Sequence, residues 1–220
     1  MIAENLNKIK SSLPKNVELV AVSKTKPKED IQEAYDAGQR VFGENRVQEL
    51  VEKAEQLPKD IQWHMIGHLQ SNKVKDLVPV VDLIHGVHKF KLLKAINAAA
   101  KKADRVISVL IQFHIAQEDS KSGFTFDEAK EMVESEQFSE LQNITICGVM
   151  GMATLTDDKE QIEDEFRTLN NYFEVFKSHY FKFIDDFKIV SMGMSGDYKI
   201  AIEEGSNMVR VGSAIFGKRN

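Results

Sequence analysis

The chain has 220 residues, 42% of them apolar and 29% charged, with a formal net charge of −5. That length suits one domain over residues 1–220 better than two small ones, and an acidic surface, which does not neutralise phosphate backbones, argues against a general nucleic-acid role. The apolar runs are far shorter than a membrane span, the start Met1-Ile2-Ala3-Glu4-Asn5 lacks the basic and apolar regions of a signal peptide, and the single Cys147 excludes an internal disulfide. A cytoplasmic protein with no membrane contact is expected.

In chain order, a helix is predicted from about Ile2 to Ser12, followed by a first strand over Leu19–Ser23. The next helix, Lys28–Ala37, starts after Pro27 and stops at Gly38, proline in and glycine out. Short apolar runs then place strands at Arg40–Gly43, Gln62–Gly67, Asp82–Gly86 and Val106–Phe113. Thr125 and Glu128 form a capping-box pattern that opens a helix through Val133. A strand at Thr145–Met150 precedes a long helix whose one face carries Ile162, Phe166, Leu169, Phe173 and Phe176 at spacings of three and four. Strands at Lys188–Met192 and Met208–Val211 flank a short helix from Asp197 to Glu204 that Gly205 ends. Eight parallel strands alternating with helices close most economically into a (β/α)8 TIM barrel, with the first helix as an addition. An open doubly wound sheet is the competing architecture. Its Gly-rich first turn is missing, because the first strand exits through Ser23-Lys24-Thr25-Lys26.

Chemistry in a barrel gathers at the C-terminal strand ends. The polar and glycine residues fall there: Lys24, Glu44, Asn45, His68, Gly86, His88, His114, Gly151, Ser195, Arg210 and Gly212. Most lysines are solvated loop residues, and Lys26 beside Pro27 fits that description. Lys24 differs, since side chains repeat every two residues and an inward Val20 and Val22 would bring it inward too. Partial burial lowers a lysine pKa and supplies the neutral amine that attacks a carbonyl. Two Gly/Ser segments at consecutive strand ends, Ser195-Gly196 and Gly212-Ser213, are suited to cradle a phosphate, although either alone would be an ordinary turn. An amine-reactive lysine with a phosphate cup suggests pyridoxal 5′-phosphate. Arg210, inward with Met208 and Gly212, either serves a structural ion pair or faces the pyridine nitrogen. There a permanently protonated guanidinium would weaken the ring as an electron sink. His64, His68, His85, His88 and His114 keep a metal-dependent hydrolase in view. It lacks a tight His-x-His pair on the first strand, and most of these histidines read as core or rim residues. Cys147, within an apolar strand, reads as packing.

These segments together resemble the pyridoxal-phosphate homeostasis protein family, related to the N-terminal barrel of bacterial alanine racemase. The matching stretches are Ala21 to Pro27, Phe42-Gly43-Glu44-Asn45 with Gln48-Glu49, Trp63 to Gly67 with Leu69 to Lys73, and Lys121-Ser122-Gly123. Gly148-Val149-Met150, Ser191 to Asp197 and Val209 to Gly217 complete the set, which spans nearly the whole chain. The resemblance implies that Lys24 forms a Schiff base with the cofactor and that Asn45 lies against its ring. It further implies that Ser195, Gly212 and Ser213 hold the phosphate and that Arg210 sits at the ring nitrogen. His68, where proline is frequent, and Gly86-Val87-His88, in place of Ser-Val-Asp, depart from the family pattern. Cofactor homeostasis without turnover is the implied role, with dependent apoenzymes as partners. A racemase needs acid/base groups on both faces of its substrate, and alanine racemase draws the second from a C-terminal domain that this sequence, stopping at Asn220, is expected to lack. A monomer is expected. A single-domain racemase or lyase of weak activity is the alternative.

Overall fold

The computed structural model describes residues 1–118 and 122–217; Lys121 of the expected Lys121-Ser122-Gly123 motif lies outside them. Among the described residues, eight strands pair in parallel and in chain order to form a closed barrel. They are β1 (Glu18–Val22), β2 (Val41–Glu44), β3 (Gln62–Met65), β4 (Leu83–Val87), β5 (Ile107–Gln112), β6 (Ile144–Met150), β7 (Ile189–Ser191) and β8 (Met208–Val211). Closure is made by β1 against β8, with Val20 opposite Arg210 and Ala21 opposite Val211. This is the predicted (β/α)8 architecture, and the last strand has its predicted bounds. Val106, expected to open the fifth strand, is 58% exposed and stands before β5.

The helices are α1 (Ile2–Ser12), α2 (Lys28–Asp36), α3 (Val47–Gln56), α4 (Val74–Leu77), α5 (Phe90–Lys102), α6 (Phe126–Glu134), α7 (Glu136–Ser139), α8 (Lys159–His179), α9 (Tyr198–Glu203) and α10 (Ser213–Phe216). The capping box of α6 forms as the sequence predicts: Thr125 Oγ1 accepts from the Glu128 amide, and the Glu128 carboxylate accepts from the Thr125 amide. That exchange satisfies two of the amide donors a helix start leaves over. The extra helix α1 seals the outside of the closure. Its Leu6 is fully buried, and Asn5 Nδ2 donates to Ile215 O of α10 at 3.1 Å.

Strand alternation sorts the side chains into two cores. Outward residues such as Phe42, Trp63, Val109, Val149 and Val209 pack under the helices with Phe166, Leu169 and Phe176 of α8. Inward residues Val20, Val41, Leu83, Leu110, Cys147, Met150 and Met208 fill the barrel as a separate cluster. Cys147 is a buried packing residue there, and burial pushes its thiol pKa up. The inward set turns polar towards the C-terminal ends of the strands, where His64, His85, Gln112, Ser191 and Arg210 are all buried.

Between β5 and β6 the register shifts, because Ile146 pairs with Val109 and Gly148 pairs with Leu110. Gly148 takes φ +149°, and a Cβ there would stand 1.9 Å from the Ile189 carbonyl oxygen. Only glycine admits that conformation and that approach. Gly148→Ala should therefore cost more than about 3 kcal/mol in urea unfolding, well beyond the roughly 1 kcal/mol of a typical point mutant. Gly38→Ala, also at positive φ but facing open space, should cost only the local strain of about 1–2 kcal/mol. Equal losses for the two would contradict the close approach.

Candidate functional site

A cavity of about 390 Å³ opens at the C-terminal end of the barrel, a size suited to a small cofactor. All six residues singled out as cofactor-binding line it: Lys24, Asn45, Ser195, Arg210, Gly212 and Ser213. Lys24 follows β1 and faces inward in phase with Val22, which also lines the cavity. Lys26 does not behave as a plain surface lysine. It lines the same cavity, and its Nζ donates to Phe216 O at 2.9 Å. Ile66, Met152, Leu155, Met194 and Gly217 complete most of the wall. Alternation from His64 could have indicated Ile66. Leu155 sits in a loop with no periodic signal.

The side of the cavity expected to take a phosphate is assembled from two loops. Met194 O accepts from the amides of Asp197 and Tyr198, so Ser195 and Gly196 are presented at the bend before α9. Gly193, at φ +96°, lets the chain pass Tyr198 and Ala201 at distances no side chain would allow. The Gly212 amide donates to Ser195 Oγ at 3.2 Å and ties the two loops together. Ser213 and Ala214 begin α10, whose first amides have no intrahelical acceptors. A Cβ on Gly196 or Gly217 would meet nothing within 4 Å, which leaves room against the backbone for a bulky anion.

The floor is a buried polar chain. Arg210 reaches into the barrel from β8 and donates to Ser191 Oγ at 2.6 Å and to Gly151 O at 3.1 Å. Burial pushes its pKa down to about 10, against the opposing pull of Asp197, so it stays cationic at neutral pH. Its hydrogen-bond acceptors are neutral, which replaces the structural ion pair considered for it and leaves the charge available to the cavity. Ser191 Oγ also meets His85 Nδ1 at 2.9 Å, and His85 Nε2 meets His64 Nδ1 at 3.0 Å. Burial lowers the His64 pKa to about 3 and the His85 pKa well below its usual value, so both rings are neutral. Their facing nitrogens are used on each other and on Ser191. Among the described residues no group of three or more His, Cys, Asp or Glu converges as a metal site would require. His68 and His88, the two departures from the family pattern, face each other with ring centroids 4.4 Å apart. Neither lines the cavity.

The residues present fit pyridoxal phosphate. Asn45 Oδ1 is buried and has no hydrogen-bond partner, an acceptor that a ligand hydroxyl would satisfy. Arg210 offers N–H donors to a ring nitrogen, the paired loops suit a phosphate, and Lys24 provides the amine.

The model of the alanine racemase N-terminal domain matches residues 1–220. The chain belongs to that family. A pyridoxal phosphate homeostasis protein of Vibrio alginolyticus is 42% identical over 212 residues, covering 94% of this chain and 88% of the relative. PipY of Synechococcus elongatus PCC7942, solved with PLP bound, superposes with a TM-score of 0.89 at 34% identity, covering 99% of this chain and all of that one. Alanine racemase of Clostridium difficile 630 shares the fold, with a TM-score of 0.76 at 17% identity, and this chain covers 56% of it.

The neutral histidines carry a pH signature. Their folded pKa values lie below the unfolded value, so on acidification the unfolded chain takes up protons that the native one refuses. Stability is full above about pH 6.5 and falls below it, by up to about 1.4 kcal/mol per pH unit for each histidine. The raised pKa of Glu44 works in the opposite direction, since native Glu44 accepts its proton more readily than the unfolded chain does. Urea midpoints should fall between about pH 7 and 5, and a His64→Phe/His85→Leu variant should flatten that decline. A wild-type midpoint constant over this range would refute the neutral pair.

Proposed function

We propose that residues 1–220 act as one barrel unit that binds pyridoxal 5′-phosphate, holds it reversibly on Lys24 and serves cofactor homeostasis without turning over a substrate of its own. The observation that carries this reading is convergence: an inward lysine, a buried cationic arginine and two glycine-serine loops share one cavity of about 390 Å³. Two properties of relatives support it, the PLP held by PipY and the homeostasis name of the Vibrio protein.

When bound, the cofactor would supply an aldehyde. Lys24 would present the primary amine able to react reversibly with such a group. Ser195, Gly212 and Ser213 would hold the phosphate through hydroxyl and amide donors, and Asn45 would orient the ring. Arg210, a donor without an acceptor, would face the ring nitrogen and so favour its unprotonated form. Among the described lining residues the titratable side chains are Lys24, Lys26 and Arg210. Lys26 is already engaged with Phe216 O. A two-sided proton transfer needs a poised acid or base opposite the lysine, and this wall offers none among its His, Tyr, Cys, Asp or Glu residues. The fit is to storage and release.

No helix among the described residues is long and apolar enough to cross a membrane. We place the protein in the cytoplasm as a monomer, with PLP-dependent apoenzymes as recipients. The test is direct. Purified protein with added PLP should show visible absorbance that borohydride abolishes, with the phosphopyridoxyl mass on Lys24. Lys24→Ala should lose the absorbance while retaining phosphate-driven binding. Unchanged absorbance in that variant would refute the assignment.

A further inference from the structure

Lys24 stands at the first corner of a tight turn, and both of its neighbours are fixed from outside the barrel. The Lys26 amide donates to Ser23 O at 3.0 Å and closes the turn Ser23-Lys24-Thr25-Lys26. Thr25 lies at φ +64°, in the left-handed region where a β-branched residue is unusual. A strained residue persists only where its surroundings over-determine it. Here the surroundings are three charged side chains on the outer face, between the sheet and α3. Glu49 Oε1 accepts from the Thr25 amide at 2.6 Å. Lys53 Nζ donates to Ser23 O at 2.9 Å and to one oxygen each of Glu44 and Glu49, both at 2.7 Å. Ser23 Oγ donates to the same Glu44 oxygen at 2.6 Å.

The arrangement is costly for a fold to keep. Glu44 is fully buried and Lys53 nearly so, and ions taken out of water are repaid only when geometry and further hydrogen bonds are good. Burial pushes the Glu44 pKa up in spite of Lys53, and Glu44 Oε2 has no hydrogen-bond partner. An apolar contact between β2 and α3 would fill this space at less expense. What the ions add is a set of directional bonds to the backbone on either side of Lys24.

We propose that Glu44, Glu49 and Lys53 are positioning residues that fix the direction in which Lys24 enters the cavity. They touch nothing in the cavity themselves; they act through Ser23 and Thr25. Their effect is confined to the covalent step, because the phosphate loops after β7 and β8 and Arg210 do not bond to them. The inference rests on Lys24 being the condensing amine.

Wild type, Lys24→Ala, Glu49→Ala and Glu49→Gln separate the possibilities. Each is titrated with pyridoxal 5′-phosphate, read by the visible absorbance of the lysine adduct. Each is also titrated with pyridoxine 5′-phosphate, the alcohol analogue that cannot condense. Glu49→Ala should bind the alcohol analogue as wild type does but form the adduct about tenfold less favourably, the value of one charge-assisted hydrogen bond. Glu49→Gln, which still offers the Thr25 amide an oxygen, should recover most of that loss. Adduct formation equal to wild type in Glu49→Ala overturns the proposal, as does an equal loss in Ala and Gln or a parallel loss for the alcohol analogue. Hydrogen exchange in the unmodified protein is a check that needs no variant: the Thr25 amide should be protected, and free exchange there refutes the clamp. An adduct that survives Lys24→Ala would instead overturn the assignment of Lys24, and the clamp with it.

Discussion

A guanidinium inside a closed barrel is the constraint around which the interior is arranged. Strand alternation leaves Arg210 no choice: β8 closes against β1, Met208 below it fills the barrel, and Val209 and Val211 are committed to the helical layer. A buried cation must have its donors satisfied, and the hydrogen bonds of Arg210 among the described residues go to neutral groups. These acceptors are Ser191 and Gly151, and Ser191 is steadied by His85, and His85 by His64. A directed chain from Arg210 through Ser191 and His85 to His64 satisfies these contacts with both imidazoles neutral. Charging either histidine would add a second cation beside the first, so the low histidine pKa values and the cationic arginine belong to one arrangement.

The outer face solves a complementary problem. There the ions are paired, with Lys53 between two carboxylates, and the beneficiary is the backbone that carries Lys24. Because alternate residues on an extended chain point to opposite sides, the backbone of a residue aimed into the cavity can be held from behind through its neighbours. Ser23 and Thr25 are those neighbours. The cavity is thus bounded from below by a hydrogen-bonded chain headed by Arg210 and from behind by an ionic cluster, and its two Gly/Ser loops are joined to each other by Ser195 and Gly212.

How much of this the sequence discloses depends on whether a feature is periodic. The strand count, the phase that turns Lys24 inward and the capping box at Thr125 are local patterns, and they carry over into the structure. The N-terminal helix matches its predicted bounds of Ile2 and Ser12. His64 and His85 show the opposite case. Their types are compatible with metal ligation, and only the lateral placement of β3, β4 and β7 around the closed sheet reveals that their nitrogens meet each other and Ser191. Glu49 and Lys53 are similar. A glutamate four residues before a lysine is ordinary for a solvated helix face, and nothing local says that this pair is pressed against Ser23 and Thr25. Lys26 was hidden for a related reason, since its acceptor, Phe216 O, lies 190 residues away.

The same geometry bears on the proposal that the site holds a cofactor without turnover. Three features bear on it: a donor-only arginine in the cavity, a described wall whose titratable groups are lysines and that arginine, and the proposed fixing of the Lys24 entry direction by its backbone. With the cofactor seated as proposed, the first would limit carbanion stabilisation, the second would leave protons without a partner across the ring, and the third would favour a single reversible bond to Lys24. Much of the remaining wall is apolar, with Ile66, Met152, Leu155 and Met194 around the opening, and Leu155 is 92% exposed. That exposed leucine is held in place: the Leu155 amide donates to Glu118 Oε1 at 2.9 Å, and the preceding Thr154 is held by Glu165 through both its amide and its hydroxyl. An open mouth would admit the water that a reversible condensation needs, whereas a site that must protect a reactive carbanion has reason to exclude it. On the proposed reading, placement of the lysine is met by the backbone clamp, while the exposed Leu155 leaves the mouth of the cavity open to solvent.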